Sequence, residues 1–336
     1  MKEEDIRPEK LFNQYLSLTE QDVSTYFGNA PFYYMPCPAC KSQNSEFRFR
    51  KVGFDYEICT DCKTLFNNPR PAAKTFNKYY TDSPSVRFWA TNFYRETEAK
   101  RRKHIIKPKA AMVKSIISKY ITESRNQSCI LDIGAGYGIF CEELQKLLPT
   151  SVQVVAVEPA IALQEVCREK GIPVIPKFLE NIEDADLPSG KQNVIAAISF
   201  ELLEHLHDPD SFIENCRSVL GEEGILILTT LNWNGFDLQV LQEKSNSIHP
   251  PHHINFFTTE SIEILLKRHG FIVLEVSTPG KLDIDIASKQ ISDIDVPFIK
   301  EILNGNDLVK SKFQTFLQES KLSSHMMVIA KLTNPV

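Results

Sequence analysis

No apolar run in this chain approaches the ~20 residues that cross a bilayer, so a helical membrane protein is not expected. The opening Met1-Lys2-Glu3-Glu4-Asp5 is too polar for a secretory signal, and a cytoplasmic protein is the simplest expectation. Basic charge is not in excess: 38 Lys and Arg stand against 43 Asp and Glu, a net charge of −5. A broad nucleic-acid or membrane surface needs the opposite balance. The eight cysteines lack the layout of a secreted disulfide framework. Four of them, Cys129, Cys141, Cys167 and Cys216, fall singly in apolar stretches and read as buried, reduced thiols. No internal repeat or low-complexity tract is visible. What remains is 336 residues at 42% hydrophobic composition, enough for two domains or for one domain with a sizeable insert.

The most informative stretch is Leu131-Asp132-Ile133-Gly134-Ala135-Gly136-Tyr137-Gly138. It reads as a buried strand ending in a glycine-rich turn that opens a helix, and only glycine lets a backbone turn this tightly beside a bulky ligand. A second apolar run, Val154 to Val157, ends in Glu158-Pro159. An acidic residue at such a strand tip is placed to accept hydrogen bonds from a ribose diol. Together they describe a nucleoside-binding crevice at the carboxyl edge of a parallel sheet. Asp132 would repel a pyrophosphate and would suit a cationic ligand without phosphate.

This arrangement resembles the class I S-adenosylmethionine-dependent methyltransferases. The resemblance implies an α/β, Rossmann-like seven-stranded sheet and S-adenosylmethionine as cofactor. Asp132, Gly134 and Gly136 would contact its methionine part, Glu158 its ribose, and Leu179-Glu180 its adenine edge. Ala135, Tyr137, Pro159, Ser199, Phe200 and Glu201 complete the expected cofactor-binding set. The continuous apolar run Val194–Phe200 is the signature of a strand buried on both faces. It flows into Glu201-Leu202-Leu203-Glu204-His205, which resembles the family's segment after the fourth strand. A helix from Pro209, a strand over 224–230, a helix over 261–269 stopped by Gly270, and strands over 271–276 and 325–332 follow the family's order.

Cys37-Pro38-Ala39-Cys40 and Cys59-Thr60-Asp61-Cys62 are two Cys-x-x-Cys knuckles, a spacing that matches a closed structural zinc site. The alternating stretches 46–50 and 54–58 between them read as two short strands. The expected organisation is an N-terminal extension over 1–30, a small zinc ribbon over 31–72, and an aromatic and basic linker or lid over 73–109. The catalytic domain follows over 110–336, with an insert at about 279–324. The ribbon and aromatic linker also resemble bacterial methyltransferases encoded with sugar and surface-polysaccharide pathways.

Glu201, Glu204 and His205 form one acid–base group, and His249-Pro250-Pro251-His252-His253 contributes a second. Two readings of the chemistry stay open. In one, His205 or His253 is a general base, with Glu204 beside it, because imidazole titrates near neutrality. In the other, Glu201, Glu204, His205 and His253 hold a catalytic divalent cation, a set similar to that of the ubiquinone-pathway and small-RNA O-methyltransferases. His253 is preferred over His252, and His207, His249 and His269 read as surface or turn residues. The expected activity is methyl transfer to an oxygen or nitrogen of a small polar acceptor, a sugar or nucleotide sugar first. RNA methylation and non-catalytic S-adenosylmethionine binding are the alternatives, and nucleic acid is the less favoured partner.

Overall fold

The structure, a computed structural model, describes residues 2–121, 127–188 and 190–333, so the outermost residues of the expected 1–30 and 110–336 segments lie outside it. Among the described residues, thirteen strands run in chain order: β1 (Phe32–Tyr33), β2 (Ser45–Lys51), β3 (Phe54–Cys59), β4 (Leu65–Asn67), β5 (Arg70–Pro71), β6 (Ser128–Ile133), β7 (Val152–Val157), β8 (Val174–Ile175), β9 (Val194–Phe200), β10 (Ile225–Leu231), β11 (Asn255–Phe256), β12 (Phe271–Ser277) and β13 (His325–Leu332). Seven of them form the main sheet in the order β12-β13-β10-β9-β6-β7-β8. β6 to β10 pair in parallel, and β13 runs antiparallel between β10 and β12. This is the Rossmann-like α/β architecture expected from the sequence.

The apolar runs become strands because the sheet is covered on both faces. Leu131, Ile133, Val155, Ala197 and Leu226 face one core, and Ile130, Val154, Ile195, Ile198 and Ile227 face the other. The sheet order reverses beside β6, so the crevice outside its carboxyl end lies at a topological switch point. Gly138 starts the Ile139–Gln145 helix at φ 66°. A side chain there would also meet Ile172 Cδ1 at 2.6 Å and Cys167 Sγ at 2.8 Å, so glycine is required twice over. Cys129, Cys141, Cys167 and Cys216 are free and buried.

A second, antiparallel sheet has the order β11-β4-β3-β2. Its outer strand β11 comes from the histidine-rich segment almost two hundred residues later, through Asn255 opposite Phe66 and Phe256 opposite Leu65. Phe54, Tyr56, Leu65, Trp233, Ile254 and Phe256 pack into one core across this junction. Arg70 is buried in it, with Nε donating to Asn67 O at 3.0 Å, Nη1 to His207 O at 3.0 Å and Nη2 to Asn255 Oδ1 at 3.1 Å. Burial pulls its pKa down to about 10.

The segment expected only as an N-terminal extension carries a helix, Glu9–Phe27, whose Phe12, Tyr15, Thr19 and Asp22 are buried. Their three- and four-residue spacing is a helical stripe. Asp22 Oδ2 accepts from Ser85 N at 2.8 Å. The aromatic stretch after the ribbon lies against this helix, with Trp89 stacked on Phe93 at 4.2 Å and Tyr15 at 4.8 Å from Trp89. The insert forms three helices, Asp283–Lys289, Pro297–Asn304 and Asp307–Glu319. No described helix is long and apolar enough to cross a membrane.

Replacing Arg70 by Ala leaves three buried oxygens without their donor and opens a cavity. The expected cost is about 3–5 kcal/mol. A urea melt followed by Trp233 fluorescence measures it, and a loss under 1 kcal/mol would mean that the junction holds without the guanidinium.

Candidate active site

The glycine turn and the tip of β7 meet as the sequence suggested. Gly134 N donates to Val157 O at 3.0 Å, which seats the turn on β7. Glu158 is buried, and its two carboxylate oxygens accept from Gly136 N and Ala160 N, each at 2.9 Å. Desolvation raises its pKa, and the two backbone donors oppose that shift. Asp132, at the end of β6, is also buried, with Cys141 Sγ 3.2 Å from Oδ2. Burial pushes its carboxyl up to about 7.

Other members of the expected cofactor set stand differently. Ser199 is buried and its Oγ donates to Ile133 O at 3.2 Å, so the hydroxyl serves the sheet. Leu179 turns into the core with Leu131 and Val155, while Glu180 is exposed. The apolar side chains open to solvent near this edge are Ile161, 72% exposed, and Phe178, 58% exposed. The sequence reading passed over both. Ala135, Pro159 and Phe200 are half-buried. Tyr137 stacks on Tyr94 at 4.8 Å and its hydroxyl donates to Ala90 O. The aromatic segment therefore reaches from the N-terminal helix to the glycine turn.

Across the crevice, Glu204, His205 and His253 converge, with one ligand atom from each lying within 4.8 Å of the others. His253 Nδ1 donates to Ser247 O at 2.6 Å, because a carbonyl can only accept, which leaves Nε2 with its lone pair free for the cluster. The His252 main chain plays a similar part for His205. Glu204 Oε2 accepts from Thr230 Oγ1 at 2.7 Å. Burial keeps both imidazoles neutral, pulling His253 down to about 4 and His205 well below its ordinary value. Burial, and then the charge of Glu201, raises Glu204. His249, expected as a surface or turn residue, is buried under Tyr15, ring centroids 5.2 Å apart, and among the described residues its Nε2 has no partner. The Tyr80 hydroxyl is likewise buried without a partner.

Glu201 stands outside this cluster. His325 Nε2 and Thr229 Oγ1 each lie 2.5 Å from Glu201 Oε1, and Lys109 Nζ lies 3.6 Å from it. Desolvation works to raise Glu201, but the His325 and Lys109 charges hold it well below the usual carboxylate range. The sequence reading missed His325 and Lys109, since a lone histidine at a strand start and a lysine on a helix carry no motif.

The four knuckle cysteines also come together. Cys37 and Cys62 Sγ are 3.4 Å apart, and Cys40 and Cys59 Sγ 3.6 Å. The knuckles are the same turn twice: Lys41 N donates to Cys37 O and Lys63 N to Cys59 O, with Lys41 and Lys63 both left-handed at φ 62° and 63°.

Residues 101–276 match the family described as "Methyltransferase domain". A ubiquinone biosynthesis O-methyltransferase of Bradyrhizobium sp. (strain ORS 278) is 32% identical over 133 residues, covering 37% of this chain and 50% of that protein. One of Rhodopseudomonas palustris (strain HaA2) is 26% identical over 196 residues, covering 54% of this chain and 75% of that protein. The chain thus spans about half the length of the first of these relatives. Among solved structures, a plantazolicin methyltransferase bound to S-adenosylhomocysteine aligns with TM-score 0.49 and 16% identity, over 77% of this chain and 94% of that one. A possible histamine N-methyltransferase of Thermotoga maritima aligns with TM-score 0.43 and 18% identity, over 71% and 97%.

Asp132 sets an expected pH dependence. Its folded pKa is raised, so the ligand-free protein loses this group's contribution to stability as pH climbs from about 4 through 7. A cationic nucleoside favours the ionised form, so its binding releases a proton below pH 7. Affinity for S-adenosylmethionine should rise up to about tenfold per pH unit below that point and level off above it. Calorimetry in two buffers of different ionisation enthalpy reads the proton, and Asp132→Asn should flatten the profile.

Proposed function

Because the chain belongs to the methyltransferase-domain family and binds S-adenosylmethionine as its donor, we propose that it moves the methyl group to a hydroxyl oxygen of a small polar acceptor carrying neighbouring oxygens. A sugar or nucleotide sugar is the first choice. The convergence of Glu204, His205 and His253 carries this reading. Two neutral imidazoles, each held through its other ring nitrogen, and one carboxylate are a donor set that suits manganese, iron, zinc or magnesium. A divalent cation on those three side chains would bind the acceptor's oxygens and lower the hydroxyl pKa. The metal reading is preferred over a His253 base, because an imidazole pulled down to about 4 takes a proton weakly at neutral pH.

The rest of the catalysis falls to the chain's own residues. Glu158 and the glycine turn hold the nucleoside, and the crevice aligns the acceptor oxygen behind the methyl group. The named role of the curated relatives supports an oxygen acceptor and makes a catechol-type quinone precursor the second reading. We also assign a structural zinc to Cys37, Cys40, Cys59 and Cys62, where four thiolates leave no open position for chemistry.

Methyl-tritiated S-adenosylmethionine offered with nucleotide sugars, with catechols and with RNA tests the acceptor class. Label should enter the first or second group, and transfer to RNA alone would overturn the proposal. Brief chelation should abolish turnover and added manganese or magnesium should restore it, while activity indifferent to chelator would return the role to a histidine base. Elemental analysis should find one zinc per chain that Cys59→Ser loses together with ribbon folding.

A further inference from the structure

We propose that Glu201 and His325 form a carboxylate–imidazole base that takes the acceptor's proton as the methyl group transfers, an assignment that rests on the methyl-transfer reading of this crevice. His325 Nε2 donates to Glu201 Oε1 at 2.5 Å. That bond fixes the tautomer and leaves the Nδ1 lone pair free. Among the described residues, no partner occupies Nδ1. The pair is open to solvent at the carboxyl edge of the sheet: the side chains of Glu201 and His325 are 41% and 28% exposed. It has the form of the orienting carboxylate and imidazole of a hydrolase triad.

Two features show that the fold invests in this geometry. Glu201 sits at φ 50°, a left-handed conformation costly for a residue with a side chain, directly after β9. It is kept there by Glu201 N donating to Thr229 O at 3.0 Å and by Thr229 Oγ1 and Lys109 on the carboxylate. The turn that delivers His325 is then pinned by buried polar groups. Ser324 N donates to Asp283 Oδ1 and Ser323 Oγ to Asp283 Oδ2, both at 2.6 Å. Ser324 Oγ donates to Asp237 Oδ1. Asn232 Nδ2 donates to Ser323 O at 2.9 Å, and Asn232 N to Ser324 O at 2.8 Å. Apolar packing would close a turn at lower cost. This network instead fixes the position of the residue that follows. Glu204, His205 and His253 bring their ligand atoms within 4.8 Å of one another, and His325 is not a member of that group.

The step balances within the crevice. The acceptor oxygen attacks the methyl carbon, the sulfur–carbon bond breaks and its electron pair returns to sulfur, leaving S-adenosylhomocysteine. The acceptor's proton passes to His325 Nδ1, and Glu201 stabilises the imidazolium until water removes the proton. The charged or titratable groups around His325 are Glu201 itself, Lys109 beyond it, and Asp283 and Asp237 under the preceding turn.

The test uses the full chain with UDP-glucose and 3,4-dihydroxybenzoate as acceptors. His325→Gln and Glu201→Gln should each lower kcat, by roughly 10²–10⁴-fold for His325→Gln, and S-adenosylmethionine affinity should stay within about twofold of wild type in His325→Gln. For the catechol, the deficit should shrink as pH rises toward the hydroxyl's own pKa, because an ionised acceptor needs no base. A kcat that stays above half of wild type, or a deficit that is the same at every pH, overturns the assignment. Nitrogen-15 histidine spectra judge the dyad separately. His325 should be protonated on Nε2 in the wild type and should lose that fixed tautomer in Glu201→Gln; a tautomer that is unchanged in Glu201→Gln overturns the dyad. Wild-type protein that methylates neither probe counts against the acceptor reading, and the spectra still decide the dyad.

Discussion

A single buried guanidinium sets the position of the acceptor side of the crevice. Among the described residues, Arg70 has no carboxylate partner. It spends its donors on three neutral oxygens, one each from the ribbon sheet, the segment after β9 and β11. Asn255 continues the connection by donating to Leu206 O at 2.7 Å, and Ile254 N donates to Glu204 O at 2.9 Å. From the ribbon side, the Tyr56 hydroxyl donates to His253 O at 2.6 Å. The main chain of Glu204 and that of His253 are thus fastened to the same sheet that carries the knuckle cysteines. A buried cation bonded in this way is costly to place and costlier to disturb, which makes the junction rigid.

That rigidity lets two neighbouring groups of like composition acquire opposite character. Glu204 is buried and His205 and His253 are half-buried; desolvation raises the Glu204 carboxyl to about 8 and lowers both imidazoles. Three residues away, Glu201 faces the open crevice between a histidine and a lysine and stays ionised. Pairs of titratable groups whose surroundings drive them apart mark a division of labour. Here the left-handed backbone at Glu201 turns one carboxylate away from the other.

Strands, glycine turn and knuckles were readable because each is a local pattern. Val194–Phe200 is apolar along its whole length, and Gly134, Gly136 and Gly138 announce their turn within five residues. The Glu9–Phe27 helix also carried a signal, the stripe Phe12, Tyr15, Thr19 and Asp22, but two of those four residues are polar in isolation. The junction was not readable at all. Arg70 meets His207 across 137 residues and Asn255 across 185, and His325 meets Glu201 across 124. Nothing near Arg70 in sequence distinguishes it from a surface arginine, and His325 looks like the polar first residue of a strand. Leu179, expected at the adenine edge, has its side chain in the core, where burying a leucine is favourable.

The place of β13 has a consequence for how the protein comes into being. It follows β12 in the chain yet lies between β12 and β10. Until it arrives, Ile225 to Leu231 present a full row of unpaired amides and carbonyls on one side, and β12 has no neighbour in the sheet among the described strands. Two such edges attract strands from other chains as readily as the one meant for them. Docking of β13 therefore pairs both strands at once, and a chain in which it were displaced would offer both edges to strands of other copies.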